Sequence, residues 1–187
     1  MNLVFMGTSE FAVPALDKLS GSPHRIMAVV TQPDRPAGRG LEVRTSPVKD
    51  VAVARSLHLF QPENVNEYEF LRELRALSPD VIVVVAYGQK LSNDILSLPR
   101  WYCVNIHPSL LPRFRGPAPV ARAILRGETT GGVCVLKVIE KMDAGPVLGL
   151  VRVPIPPDAT TPEFEAHLAS VGADLLVEVL DNIANQT

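Results

Sequence analysis

Val81-Ile82-Val83-Val84-Val85 decides the fold. Five consecutive β-branched residues leave no polar face, so the segment predicts a strand covered on both sides, as in the middle of a parallel sheet. Working outward, strand-like and helical periods alternate. Upstream, residues 3–6 are an apolar run ending in Gly7, residues 9–20 read as a helix whose regular part is delayed by Pro14, and residues 25–31 form a Val- and Ile-rich strand. Residues 47–57 are helical, with Pro47 near the first helical position and a stripe of Val48, Val51 and Ala52. Leu59-Phe60 reads as a short edge strand, and residues 66–77 place Phe70, Leu71, Leu74 and Leu77 on one helical side. Downstream, Ser92 starts a short helix and residues 101–107 form the next strand. Gly116-Pro117 opens a helix that Gly127 closes. Residues 133–139 and 147–153 pair antiparallel, because little chain separates them. Thr160 and Glu163 form a capping box before a last helix with a buried stripe of Phe164, Leu168, Val171 and Leu175. The alternation predicts an α/β fold, a doubly wound, mostly parallel sheet flanked by helices, in one domain over residues 1–187.

The 187 residues suffice for a core without covalent staples. A hydrophobic content of 47% and a mean hydropathy of +0.16 exclude a wholly disordered chain. With a net charge of −2, no overall field favours nucleic acid, so any polyanion contact must be local. No apolar run approaches the about 18 residues of a membrane helix, so no membrane partner is expected. Met1-Asn2-Leu3-Val4-Phe5 lacks the basic front of a signal peptide. Cys103 and Cys134 sit in apolar strand-like segments, as buried thiols in a reducing cytoplasm would. His24, His58, His107 and His167 lack the spacing of a helical zinc site, and no metal is expected. His24, His58 and His167 read as surface or packing residues.

Three residues carry the chemistry. Asn105 and His107 lie two apart at the end of a predicted strand, so both project from one face where open α/β sheets bind ligands. They serve either as satisfied buried polar groups or as a site. The stretch that follows, residues 108–119, holds four prolines, Gly116, Arg113 and Arg115, which suits the wall of a cleft better than a core. Asp143, before Ala144-Gly145-Pro146, is either an Asx turn or a site residue. An amide, an imidazole and a carboxylate together can carry an acyl carbon through a charged tetrahedral state without metal or covalent nucleophile. Gly7-Thr8-Ser9 has one glycine and no following Gly-Lys, so it reads as a strand-to-helix turn and not a phosphate cradle, with Ser9 as N-cap. The long loop from Gln32 to Pro47 is rich in Gly, Pro and Arg. Its basic residues Arg35, Arg39 and Arg44, with Lys49 just beyond, make either a solvated connection or an arm that grips phosphates.

Asn105-Ile106-His107-Pro108-Ser109-Leu110-Leu111-Pro112, followed by Asp143-Ala144-Gly145-Pro146, resembles the folate-dependent formyltransferases. Residues 5–12, 31–40 and 115–119 resemble the branch of that family acting on methionyl-initiator tRNA. The resemblance implies a Rossmann-like catalytic domain, 10-formyltetrahydrofolate as formyl donor, and Asn105, His107 and Asp143 as the catalytic trio. It further implies a folate pocket with Tyr87, Gln89 and Leu91 on residues 85–91, together with Ser109, Leu110, Leu111, Pro112 and Met142. The loop bearing Arg35, Arg39, Arg44 and Lys49 is similar to the arm that meets the acceptor end of initiator tRNA. The tRNA-acting branch continues into a barrel-like second domain that lies beyond this chain, and a cytoplasmic monomer is expected. Lys90 stands where the family has an apolar residue, and Gly131, Gly132 and Cys134 replace its Thr-Gly-Val-Thr pattern. Transfer to a small amine or amino sugar, hydrolysis of the formylfolate, and a non-enzymatic folate- or tRNA-binding module are the alternatives.

Overall fold

The computed structural model describes residues 1–37 and 42–185. Nine strands and six α-helices follow one another among them: β1 (Asn2–Gly7), α1 (Val13–Ser20), β2 (Arg25–Val30), β3 (Arg35–Ala37), β4 (Glu42–Arg44), α2 (Pro47–Ala54), β5 (Leu59–Phe60), α3 (Tyr68–Ala76), β6 (Val81–Val85), α4 (Asn93–Leu96), β7 (Tyr102–His107), α5 (Pro119–Leu125), β8 (Thr130–Lys137), β9 (Val147–Pro154) and α6 (Thr161–Asn185). Seven strands make one sheet in the order β5-β2-β1-β6-β7-β8-β9. From β5 to β7 every pairing is parallel, while β8 and β9 add an antiparallel edge. The chain builds outward from β1 in one direction to β2 and β5, then crosses back to β6 and β7. The switch point therefore lies between β1 and β6, at whose carboxyl ends a crevice is expected.

The predicted double covering of β6 is borne out by how its side chains divide. Val81, Val83 and Val85 join Leu3, Phe5, Val104 and Ile106 under α1, α2, α5 and α6. Ile82 joins Val4, Met6 and Cys103 under α3 and α4, against Phe70, Leu74 and Ile95. Strand alternation alone produces this division. It also sends Asn105 and His107, which alternate with buried Val104 and Ile106, to the face shared with Cys103.

Several local expectations need correction. Residues 32–47 are not an irregular loop throughout. Arg35–Ala37 and Glu42–Arg44 pair as a short antiparallel ribbon. The helix after β7 begins at Pro119, not at Gly116-Pro117. Phe114, Gly116 and Ala118 have φ of 57°, 81° and 48°, so the chain makes left-handed turns until Pro119 can start a helix. Ser9 precedes a 3₁₀ turn, Glu10–Ala12, but its side chain makes no cap bond. The working caps include Ser46, whose hydroxyl accepts from Lys49 N–H at 3.0 Å. The Glu163 carboxylate accepts from Thr160 N–H at 3.2 Å, as a capping box requires, but the Thr160 hydroxyl donates to that same carboxylate at 2.6 Å. His24 is more engaged than expected: it is buried and its Nε2 lies 3.2 Å from Asp181 of α6.

Gly132 has a steric reason to be glycine. A Cβ there would lie 2.3 Å from the Val151 carbonyl oxygen of β9 and 2.5 Å from Leu110 Cδ2. Gly132→Ala is expected to destabilise the fold by about 1–3 kcal/mol through overpacking. The shift of the urea midpoint measures it, and an unchanged midpoint would mean that β9 and Leu110 yield freely.

Candidate active site

The end of β7 presents its polar residues at the crevice. Asn105 is paired with Val84 of β6 on one side and Leu136 of β8 on the other, which fixes its backbone. His107 is opposite Cys134 of β8 and is 6% exposed. Its Nε2 lies 3.1 Å from the Phe114 carbonyl oxygen. A carbonyl can only accept, so Nε2 carries the hydrogen. On the other side of the ring, Nδ1 is 3.6 Å from Asp143 Oδ2. The Asp143 carboxylate thus faces the second ring nitrogen from just beyond hydrogen-bond distance.

Asp143 comes from the connection between β8 and β9, held in a left-handed conformation with φ 48°. The base of that connection is closed by Lys137 N–H donating to the Pro146 carbonyl at 2.9 Å. The same carboxylate oxygen that faces His107 accepts from Gly116 N–H at 2.8 Å. Arg122 of α5 donates to the carbonyls of Phe114 at 2.9 Å and Arg115 at 2.6 Å. His107 is therefore gripped between two loops, each anchored by a separate polar contact. Asn105 differs: its half-buried side chain makes no hydrogen bond among the described residues, so its amide is free to act on a ligand.

Asn105 and His107 line a cleft of about 350 Å³ whose other walls include Ser9, Phe11, Ala86 and Pro117. It lies where the strand order reverses. Glu165 reaches it from α6. Sequence reading missed Phe11 and Glu165, as well as the Phe114 carbonyl and Gly116 N–H that position His107 and Asp143, whereas Ala86 belongs to the segment 85–91 expected at the folate. Ala86 directly follows the valine strand and was legible by position. Glu165 carried no local signal, because only tertiary folding brings α6 to the cleft.

The other residues expected around a folate lie outside this cleft. Tyr87 and Leu91 are buried with α3 and α4. Burial raises the Tyr87 phenol above its ordinary range, and its hydroxyl has no partner, like the buried Ser92 hydroxyl on the same segment. Polar groups left over in this way fit a polar heteroaromatic ligand. Gln89 is committed elsewhere: it accepts from Val65 N–H at 2.8 Å and donates to the Pro62 and Glu63 carbonyls at 3.3 Å each. The Ser109 hydroxyl donates to the Arg113 carbonyl at 2.8 Å. Leu110 and Leu111 are half-buried, Pro112 is exposed after a cis bond, and Met142 is 69% exposed.

Among the expected phosphate-gripping cations, Arg35 pairs with Glu63 at 2.7 Å. Lys49 is not in the loop but in the first turn of α2, paired with Asp34, whose carboxyl it holds below the usual range. Arg44 is exposed with no ion pair among the described residues. Arg39 lies outside the described residues. No group of three His, Cys, Asp or Glu side chains converges as a metal site among the described residues.

The thiols are buried as expected. Burial pushes Cys103 up to about 12 and raises Cys134, whose Sγ lies 3.0 Å from the Ser109 carbonyl. Neither thiol is expected to react with iodoacetamide in the folded protein at about pH 8. Mass spectrometry should find both alkylated only after denaturation, and rapid labelling of native Cys103 would contradict its placement.

The family described as formyl transferase matches residues 1–180. Methionyl-tRNA formyltransferase of Moorella thermoacetica is 50% identical over 98% of this chain and 59% of its own length. That of Methylococcus capsulatus is 49% identical over 98% and 60%. The chain thus spans less than two thirds of the length of these relatives. Among solved structures, glycinamide ribonucleotide transformylase 1 of Geobacillus kaustophilus is 28% identical, with a TM-score of 0.77, covering 96% of both chains. The phosphoribosylglycinamide formyltransferase of Bacillus halodurans has a TM-score of 0.81 at 20% identity, covering 98% of this chain and 95% of its own, and shares the fold.

Proposed function

The chain belongs to the formyl transferase family, and on that premise we propose that it transfers the formyl group of 10-formyltetrahydrofolate to the amino group of methionyl-initiator tRNA. The observation that carries this reading is the approach of Asp143 to His107, 3.6 Å apart, beside an uncommitted Asn105 at the switch-point cleft. The choice of tRNA as acceptor is supported by identities of 47–50% to proteins named for it. No helix among the described residues is long and apolar enough to cross a membrane. Two buried thiols suit a cytoplasmic setting, and a single subunit suffices because all three residues come from one chain.

The folate, when bound, supplies an activated one-carbon unit on a nitrogen leaving group. Tyr87, Leu91 and Ser92, with Ser109, Leu110, Leu111, Pro112 and Met142, are the residues that would hold it. Gln89 supports that pocket by tying residues 62–65 to the 85–91 segment. Of the segment 85–91 Ala86 reaches the cleft, where the formyl end of the folate meets the acceptor, with Phe11 and Pro117 as apolar walls. The Asn105 amide donates to the acyl oxygen as that oxygen gains negative charge. The His107 ring reinforces this field, held in place by Phe114 and Asp143. Asp143 takes up the proton that the attacking amine sheds, directly or through one water, and the folate nitrogen gains a proton as its bond to the formyl carbon breaks. Arg44 and Arg39 contact phosphates of the acceptor, while Arg35 and Lys49 anchor the ribbon through Glu63 and Asp34. Arg44→Ala is expected to raise KM for tRNA several-fold and leave KM for folate unchanged, as steady-state kinetics would measure; an unchanged tRNA KM would reduce the ribbon to a solvated connection.

The rival to exclude is transfer to a small amine, since glycinamide ribonucleotide transformylase 1, 28% identical, shares this fold. Methionyl-initiator tRNA, an amino sugar, glycinamide ribonucleotide and water offered separately with formylfolate separate the two. Fastest turnover with the charged tRNA is expected. Preference for a small amine or for water would replace the tRNA reading.

A further inference from the structure

A second basic surface borders the cleft, separate from the ribbon. The guanidinium carbons of Arg113, Arg122 and Arg126 lie 5.3, 5.9 and 5.5 Å from the centroid of the Phe114 ring. Arg115 is exposed beside them, next to the cleft-lining residues Gly116 and Pro117. Between residues 113 and 128 four arginines face a single carboxylate, Glu128, which pairs with Arg113. Arg122 is spent on the Phe114 and Arg115 carbonyls. Arg115 and Arg126 have no ion pair among the described residues, and both are exposed.

Such crowding of like charge, in a chain of net charge −2, is unfavourable unless something compensates it. The Phe114 ring does so in part through cation–π attraction, and it also restricts where the guanidiniums point. Arg126 is held this way and is suited to bidentate contact with phosphate oxygens, whereas Arg115 reaches solvent from the adjoining turn. Their place in the topology adds direction. The ribbon follows β2 and the arginine cluster follows β7, so both leave the carboxyl edge of the same parallel strands. Three strand spacings separate β2 from β7, about 14 Å, and the cleft lies between them. A chain of phosphates delivering its end into the cleft would meet the ribbon on one flank and the cluster on the other.

We propose that Arg115 and Arg126, with Arg113 and Phe114 behind them, form a second phosphate-contacting surface for the acceptor RNA. The proposal rests on the tRNA reading above and adds a binding surface to it. Arg122 is left aside, because its contact with the Phe114 carbonyl also bears on His107.

The test is a salt titration of uncharged initiator tRNA binding to this chain, comparing wild type with Arg115→Ala/Arg126→Ala and Arg115→Lys/Arg126→Lys. The alanine pair is expected to weaken binding and to lower the slope of log affinity against log salt by about 1 per arginine removed. The lysine pair should keep most of that slope, the thermal midpoint should not move, and KM for folate should stay as in wild type. Unchanged affinity and slope in the alanine pair, or no measurable RNA binding by wild type, would overturn the proposal. So would a rise confined to folate KM, which would assign the cluster to the carboxylate tail of the folate. Slope-dependent RNA binding without formylation of charged tRNA would support the surface and defeat the acceptor assignment, so the two can fail separately.

Discussion

Asp143→Asn is expected to lower kcat for formyl transfer by about 10²–10⁴, the usual worth of a positioned general base. Folate binding and thermal midpoint should stay near wild type. The reasoning turns on the dual engagement of one oxygen. Asp143 Oδ2 faces His107 Nδ1 at 3.6 Å and accepts from Gly116 N–H at 2.8 Å. An asparagine carbonyl can still accept from Gly116, so the loop bearing residues 114–118 keeps its tether. What it cannot do is receive a proton from the attacking amine. Steady-state kinetics with both substrates varied, together with a thermal melt, separate these roles. Equal kcat in the asparagine variant would make Asp143 a tether alone.

Asn105→Ala is expected to lower the single-turnover rate by about 10²–10³, as loss of one oxyanion donor typically does. Stability should hardly change, and that is the more discriminating half of the prediction. The Asn105 side chain makes no protein hydrogen bond among the described residues, so its removal leaves no partner unsatisfied. Asn105→Asp should be worse for rate than alanine, because it puts negative charge where negative charge develops. If alanine instead lowers the melting temperature and spares the rate, Asn105 is a packing residue and the acyl oxygen is held by something else.

The sheet was readable from one segment because Val81–Val85 admits only one environment, buried on both faces. The antiparallel edge was readable because residues 138–146 are too few for a crossover. Helix starts were readable where a single proline marked the first turn, as at Pro47, though the Ser46 cap beside it went unread. They failed where several prolines and glycines competed, as between Gly116 and Pro119, since the choice there depends on backbone contacts with Asp143 and Arg122. The same holds for the site. Asn105 and His107 follow from strand alternation, whereas the closeness of Asp143 is a tertiary fact that no spacing encodes. The basic residues divide similarly: composition identifies Arg35 and Lys49 as cations, but only the fold reveals that Glu63 and Asp34 already hold them.

The most direct measurement is a crystal structure of this chain with a non-transferable analogue of 10-formyltetrahydrofolate. The acyl oxygen is expected about 3 Å from Asn105 Nδ2, with Asp143 within reach, directly or through one water, of the position an incoming amine would take in the cleft. An acyl group bound well away from Asn105, or facing the side opposite Asp143 and the cleft, would contradict the account.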